Sequence, residues 1–473
     1  MIQATLQSRS NIVGSAITGA ALLVEQTYGA KGDFVILTSG KKSVITKDGV
    51  SVLRSLYSDD LSENGVLEII KEASLNTLAI VGDGTTSTIL LANEIYKRFK
   101  AEDYMNKTNI LKNIENNLKK MSVPVSINSK ELLQVAETSV AGDSELAGLI
   151  LDAYHKADED NLGTVIVEMK VGHKSAVSTY NGIAFSGYLA NDSFLHKANG
   201  YEVFFDQASV VISDSEIIGE DTVFNLINKC VETEIENLII IAPGFAVNSL
   251  STMMLNNGHS INIAPVIYNG GSAVGNSLLA EALSTACGQD SILGDSRGIE
   301  IGDIDIERCP EIQNFSMNKN SVRFIGNGDS DKCNLLANRY LELQGDATTD
   351  EERDMYKILT SIVKQKSVSV ILGGDSKSSL VERKDRADDC VNAVSLALAG
   401  GVVPGGAVAY RDALKGLQTK TDLYQAGLAL FEKCGGNKNK ALDPTKVVST
   451  VLKQALELSF LLGKTKAVVM IKQ

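Results

Sequence analysis

Val81-Gly82-Asp83-Gly84-Thr85-Thr86-Ser87-Thr88 separates two segments of helical periodicity. Upstream, Val66, Ile69, Ile70, Ala73 and Leu78 recur at roughly helical spacing; downstream, Ile89, Leu90, Ala92, Ile95 and Phe99 do the same. The glycines end the first helix and the hydroxyl run begins the second. A helix start carries free N–H groups and a partial positive charge, so it can hold a phosphate. Gly84 lets a ligand approach the backbone, and Thr85, Thr86 and Ser87 add small hydroxyl donors. Asp83 offers a hard oxygen ligand that suits a magnesium ion bridging phosphates. A capped helix corner explains the same residues, and the stretch alone leaves both readings open.

Working back toward the N-terminus, residues 11–28 read as a helix with Val13, Ile17, Ala20 and Val24 on one face, stopped by Gly29. Thr27-Tyr28-Gly29-Ala30-Lys31-Gly32 is a glycine-bracketed loop. Residues 33–38 and 42–46 read as a hairpin turned at Ser39-Gly40. Thr46-Lys47-Asp48-Gly49 follows, suited to a phosphate or to a plain Asp-Gly turn.

Toward the C-terminus, helices run from Ser62 to about Lys120, and Pro124 marks a change. Residues 129–160 read as helices and 164–168 as a strand. From about 181 to 367 short apolar strands (203–205, 210–213, 238–242, 261–267) alternate with helices, which suggests an inserted α/β domain. Within it, Leu250, Met253, Met254 and Leu255 are either core or an adaptable apolar groove. A charged helical hairpin around Gly345 spans 329–364, and a strand covers 368–372. A helix over 378–399 carries Asp388 and Asp389, then Gly400-Gly401 leads to Val402-Val403-Pro404-Gly405-Gly406. Helices flank Leu442-Asp443-Pro444-Thr445, and a strand spans 467–471. Both ends are helical with glycine loops and the middle differs, so one domain is expected to be built from both termini.

The net charge of −13 argues against nucleic-acid and anionic-membrane partners, which need basic patches. None of the six cysteines forms a CxxC pair and the four histidines are scattered, so no zinc site is expected. The most apolar run, 393–410, holds four glycines and a proline, which does not suit a membrane span. A reducing, cytoplasmic setting is the expectation. Gly270-Gly271-Ser272-Ala273-Val274-Gly275 has P-loop-like glycine spacing but lacks the lysine.

Tyr28-Gly29-Ala30-Lys31-Gly32, Ile45-Thr46-Lys47-Asp48-Gly49-Val50-Ser51-Val52, Gly82-Asp83-Gly84-Thr85-Thr86-Ser87, Gly401-Val402-Val403-Pro404-Gly405-Gly406 and Leu442-Asp443-Pro444-Thr445-Lys446, in that order over most of the chain, resemble the group I, GroEL-like chaperonins. The resemblance implies a multi-domain α+β fold. A mostly helical equatorial domain (1–120 and 400–473) would bind ATP, a small intermediate domain (121–180 and 368–399) would carry a water-activating carboxylate, and an inserted α/β apical domain (181–367) would bind non-native proteins and a small co-chaperonin lid. By that resemblance Asp83 holds Mg2+, and Gly84, Thr85, Thr86 and Ser87 hold the phosphates. Thr27, Tyr28, Gly29, Ala30 and Lys47 complete the nucleotide and K+ surroundings, and Gly406 and Asp443 meet the nucleoside. Asp389 is the implied catalytic carboxylate, assisted by Asp48. Tyr188, in a loop after Gly187, and Phe224, Ile227, Leu250, Met253, Met254 and Leu255 are the implied client contacts.

The chain also departs from the family pattern. Ala30 replaces a proline, and a hinge glycine pair appears as Gln365-Lys366 opposite Gly182. The stretch 428–441 is much shorter than in the family, where it holds adenine contacts and part of the contact between stacked rings. The expected assembly is therefore a seven-fold homo-oligomeric ring, single or only weakly paired. An ATP-driven folding chaperone is the first reading, and a ring that holds clients with little or no hydrolysis is the alternative.

Overall fold

In a computed structural model, residues 5–7, 9–29, 32–39, 42–46, 49–140, 142–194, 203–289, 294, 309–317, 321–374, 377–435, 441–466 and 468–470 are described. They form two compact units: Met1–Ala147 with Asp389–Gln473, and Gly148–Asp388. Each is an α+β assembly around its own core.

The first unit is held by long helices. Arg9–Glu25, Leu61–Val81, Thr85–Arg98 and Thr445–Lys464 bury Val13, Ile17, Ile70, Ile89, Leu91, Val448, Val451 and Leu452 in one core. Thr85–Arg98 contributes buried residues from several faces, as a central helix must. Short strands tie distant chain segments together. Thr5–Gln7 pairs antiparallel with Val468–Met470, joining the two ends. Val402–Pro404 pairs with Leu442–Pro444, setting Val403 opposite Asp443. The hairpin Val35–Ser39/Lys42–Thr46 stands on this unit with Phe34 and Ile36 exposed.

The second unit combines a barrel and a small sheet. The barrel closes in the order Glu311–Met317, Ser321–Ile325, Ile183–Leu189, Asn262–Tyr268, Asn237–Ala242, Val203–Ile212. Its interior includes Phe185, Phe205, Phe315 and Phe324; the Phe205 and Phe315 rings stack at 5.8 Å. Helices Glu220–Glu232 and Val247–Asn256 cover another face through Val223, Leu226, Ile227 and Met253. The three-stranded sheet is Val165–Val171, Lys366–Gly374, Ala176–Asn181, with the central strand parallel to the first and antiparallel to the last.

Several sequence expectations shift. The first helix ends at Glu25, ahead of Gly29, which sits in the turn with φ +68°. The segments 203–205 and 210–213 are one strand, Val203–Ile212. Gly187 and Tyr188 lie in a strand, not a loop. The hairpin of helices Ser330–Asp346 and Asp350–Val363 turns at residues 347–349, where Thr349 and Glu352 form a reciprocal cap, so Gly345 is helical. Ser272 caps the helix Ala273–Cys287 through Gly275 N–H (3.0 Å). The backbones at Gly270 and Gly275 touch so closely that a Cβ on Gly275 would fall 1.9 Å from Gly270 O. These glycines serve packing.

Candidate functional site

The glycine loop of the first unit presents groups that suit an anion. Leu61–Val81 ends at Gly82 (φ +65°) and Thr85–Arg98 begins after Gly84 (φ +83°). Gly84 supplies no side-chain cap, so the first N–H groups of Thr85–Arg98 have no such partner. Thr88 Oγ1 donates to Gly84 O (3.0 Å) and shares a 3.0 Å hydrogen bond with Thr77 Oγ1, which fixes the loop from behind. Thr85 and Ser87 are buried, Thr86 is half-buried, and Asp83 is exposed at the mouth. Gly84 N–H donates to Asp83 Oδ1 (2.5 Å), which orients that carboxylate.

Neighbouring segments converge on this loop. A Cβ on Gly49, the first residue of helix Gly49–Arg54, would fall 2.0 Å from Thr86 Oγ1 and 3.2 Å from Thr27 Oγ1. Thr27 Oγ1 donates to Val24 O (2.9 Å). Ser87 Oγ donates to Tyr28 Oη (3.3 Å). Gly405 N–H donates to Ala441 O (2.7 Å), and a Cβ on Gly405 would lie 2.8 Å from Asp443 Oδ1, so glycine is needed for the carboxylate to sit there. Gly406 and Ala407 both have positive φ, turning the chain into helix Val408–Ala413. Burial and the adjacent Asp83 charge push the Asp443 carboxyl up to about 7. Two mutually repelling carboxylates beside hydroxyls and free helix N–H groups form a donor set that suits a hard cation with a polyphosphate.

Asp389 is exposed on helix Lys377–Gly400. One turn later on the same face, Asn392 Nδ2 donates to Val81 O (2.5 Å), the carbonyl just before the glycine loop. That bond ties the Asp389 turn of the helix to the loop end of Leu61–Val81. Ala30, Lys47 and Asp48 lie outside the described residues.

A model of the TCP-1/cpn60 chaperonin family matches residues 21–234. The chain is 26% identical over 417 residues to Chaperonin GroEL of Holospora obtusa, covering 85% of this chain and 71% of that protein. It is 26% identical over 453 residues to heat shock protein 60A of Drosophila melanogaster, covering 91% and 78%. The crystal structure of the chaperonin gp146 from the bacteriophage EL 2 (Pseudomonas aeruginosa), in the presence of ATP-BeFx, superposes with TM-score 0.68 at 21% identity over 99% of both chains.

The family model, the relatives over most of the chain and the shared fold together support a divergent chaperonin. The same findings support a chaperone role. No helix among its described residues is long and apolar enough to cross a membrane. Among these residues no group of three or more His, Cys, Asp or Glu stands where it could hold a metal ion.

On the helices covering the barrel of the second unit, Phe224 and Leu255 are 47% and 78% exposed, and Leu250 and Met254 are partly buried. Ile227 and Met253, expected as client contacts, are 1% and 0% exposed. Both point from their amphipathic helices into the core, so they are unavailable as surface anchors in this conformation. Tyr188 is half-buried beside the barrel core. Ile218 (69%) and Val247 (77%) are exposed next to the same helices and were not singled out from sequence.

Sequence reading also missed two residues among these converging segments. Tyr410 is buried; its phenol is pushed well up by burial and by the charges of Asp443 and Asp83. Cys434 ends helix Leu423–Cys434 against Gly29, whose added Cβ would lie 3.2 Å from Cys434 O. Burial and Asp443 push its thiol up as well. A lone tyrosine in an apolar run and a cysteine at a helix end carry no sequence signal that separates them from core.

Proposed function

We propose that this chaperonin is an ATP-dependent folding chaperone that assembles as a homo-oligomeric ring and binds non-native proteins on apolar apical surfaces. The observation that carries the reading is the uncapped start of Thr85–Arg98 behind two left-handed glycines, with Asp83 at its mouth and the Asp389 helix tied to it through Asn392. Bound Mg2+–ATP supplies the phosphoanhydride. The N–H groups and hydroxyls of Gly84, Thr85, Thr86 and Ser87 hold its phosphates. Asp83 takes the magnesium, and Thr27, Tyr28, Gly29, Ala30 and Lys47 form the remaining wall, with K+ among them. Gly406 and Asp443 hold the nucleoside end. Asp389, with Asp48, accepts a proton from and orients the attacking water, which is the acceptor role phosphoryl transfer requires.

Client capture falls to Phe224, Leu255, Leu250, Met254 and Tyr188. Each ~100 Å² of apolar surface covered contributes about 2.5 kcal/mol, so weak patches repeated around a ring hold a client by multivalency. A three-domain division, a seven-fold ring, single or weakly paired, a co-chaperonin lid and a cytoplasmic setting belong to the same proposal.

The test is steady-state ATP hydrolysis by the purified assembly beside Asp389→Ala. The expected result is magnesium-dependent turnover that falls at least 100-fold in the variant. Turnover that survives the substitution overturns the assignment of Asp389. An assembled wild type with no turnover favours the second reading, a ring that holds clients with little or no hydrolysis. One observation supports that reading: Gln365, at the junction between barrel and sheet, is pinned by its side chain.

A further inference from the structure

We propose that Gln365 is a latch that holds the barrel of the second unit against its three-stranded sheet, and that releasing this one amide frees the barrel to tilt. The chain passes between the two bodies at two places. It leaves strand Ala176–Asn181 through Gly182 into the barrel strand Ile183–Leu189, and it returns from helix Asp350–Val363 through Lys364 and Gln365 into the sheet strand Lys366–Gly374. The two crossings touch, because Gly182 N–H donates to Gln365 O (2.8 Å). Paired crossings of this kind make a natural pivot, since few backbone torsions need to change for the bodies to turn about them.

Gln365 occupies this pivot in the left-handed region, with φ +50°. That conformation suits glycine, and a long side chain accepts it only where the surroundings repay the strain. The repayment is visible. Gly326 N–H donates to Gln365 Oε1 (3.1 Å), while Gln365 Nε2 donates to Gly326 O (3.1 Å) and Ala286 O (3.2 Å). Gly326 follows the barrel strand Ser321–Ile325, and Ala286 is in the last turn of the helix Ala273–Cys287 that packs on the barrel. The amide thus grips the barrel with three hydrogen bonds from the residue just before the sheet strand Lys366–Gly374. The fit depends on Gly326, where an added Cβ would lie 2.3 Å from Ala286 O.

A second tie crosses the same junction. Arg323 Nη1 of the barrel strand meets Glu168 Oε1 of the sheet strand Val165–Val171 at 3.3 Å, both side chains mostly buried. Tilting the barrel about the Gly182–Gln365 pivot stretches these contacts together, so the amide and the ion pair act as one clasp. That the tilt serves client handling rests on the chaperone reading above; the latch itself does not.

The test places a donor and an acceptor dye, through unnatural amino acids, at Lys174 on the sheet side and at Leu335 on the helix Ser330–Asp346, both exposed. Single-molecule distance distributions are compared for the wild type, Gln365→Gly and Gln365→Asn. Asparagine keeps the tolerance for positive φ but pulls the amide back by one methylene, out of reach of Gly326 and Ala286. The wild type is expected to give one narrow distance. Both variants are expected to gain a second population, or to at least double the width, with circular dichroism unchanged. If the glycine variant does not fold, the asparagine variant decides alone. Distributions that superpose on the wild type in a folded variant overturn the latch. ATP turnover is measured on the same samples: a broadened distance without turnover in any sample keeps the latch and removes the ATPase reading, and turnover with unchanged distances does the reverse.

Discussion

A methyl group added at Gly84 would sit 2.5 Å from Val451 Cγ2, on a backbone already at φ +83°. The left-handed conformation alone costs a non-glycine residue about 1–2 kcal/mol, and Val451 belongs to the buried face of Thr445–Lys464 and cannot retreat freely. Gly84→Ala is therefore expected to lower stability by about 2–4 kcal/mol and to abolish nucleotide binding, read by urea denaturation and by titration with a fluorescent ATP analogue. Unchanged binding would mean that the glycine loop is not the phosphate seat. Asp443 gives a pH signature. Its folded-state value is raised to about 7 by burial and by Asp83, so the folded protein holds a proton that the unfolded chain has released above its ordinary carboxylate value. That contribution is complete below about pH 4 and is lost as pH rises through 7. Nucleotide-free protein is expected to lose on the order of 2–4 kcal/mol between pH 5 and pH 8 from this group. Asp443→Asn should flatten the difference in paired denaturation curves; an equal slope in the variant assigns the dependence to other groups. The loop glycines and Asp83 stood out in the sequence because turn chemistry leaves a local mark, and Asp443 only through the family resemblance. Asn392, Tyr410 and Cys434 were not, since their partners lie far away in the chain.

At the scale of elements, the two helices over the barrel separate exposed apolar side chains from packed ones. Phe224 and Leu255 face outward, while Met253 lies in the core between Val223, Leu226 and Ile240 and their neighbours. Phe224→Ser with Leu255→Ser is expected to weaken binding of an unfolded client at least 10-fold with little change in melting temperature. Met253→Ala is expected to cost about 2–5 kcal/mol of stability by leaving a cavity. A doubly substituted protein that still binds client, measured by suppression of aggregation, would move the capture surface elsewhere. The same helices show what periodicity can tell: it locates an amphipathic face but not which residues of a mixed apolar group point inward. Strands were legible where both faces are buried, as in Asn237–Ala242. Glu311–Met317 went unread because Asn314, at φ +53°, sits where the register shifts between Gln313 and Ser316, which breaks the alternation of Ile312, Phe315 and Met317. Asp206 and Gln207 likewise split Val203–Ile212 in the sequence pattern, although its ladder to Glu311–Met317 pairs Gln207 with Gln313 and goes on at Phe205 with Phe315. Ala176–Asn181 is largely half-exposed and carries no apolar run to find.

For the whole molecule, the discontinuity of the chain was legible because composition changes along it, and the pairing of Thr5–Gln7 with Val468–Met470 shows the first unit drawing on both ends. The assembly leaves less trace in sequence, because an interface residue and a core residue are chosen from the same apolar types. For the proposed ring, the exposed apolar residues of the first unit are the candidates for the subunit contact. Phe34 and Ile36, 64% and 65% exposed, stand beside a two-stranded hairpin that pairs with no third strand among the described residues. A hairpin with open edges and large apolar side chains is prone to pair with another chain unless that pairing is its purpose. In a ring, a head-to-tail contact of this kind closes on itself. Phe34→Asp with Ile36→Lys is therefore expected to convert the oligomer to monomers in mass photometry while circular dichroism is retained. ATP turnover per chain should fall with it if neighbouring copies complete the cycle. An intact oligomer carrying both charges would place the subunit contact on another face and leave the hairpin's exposed side chains for a different partner.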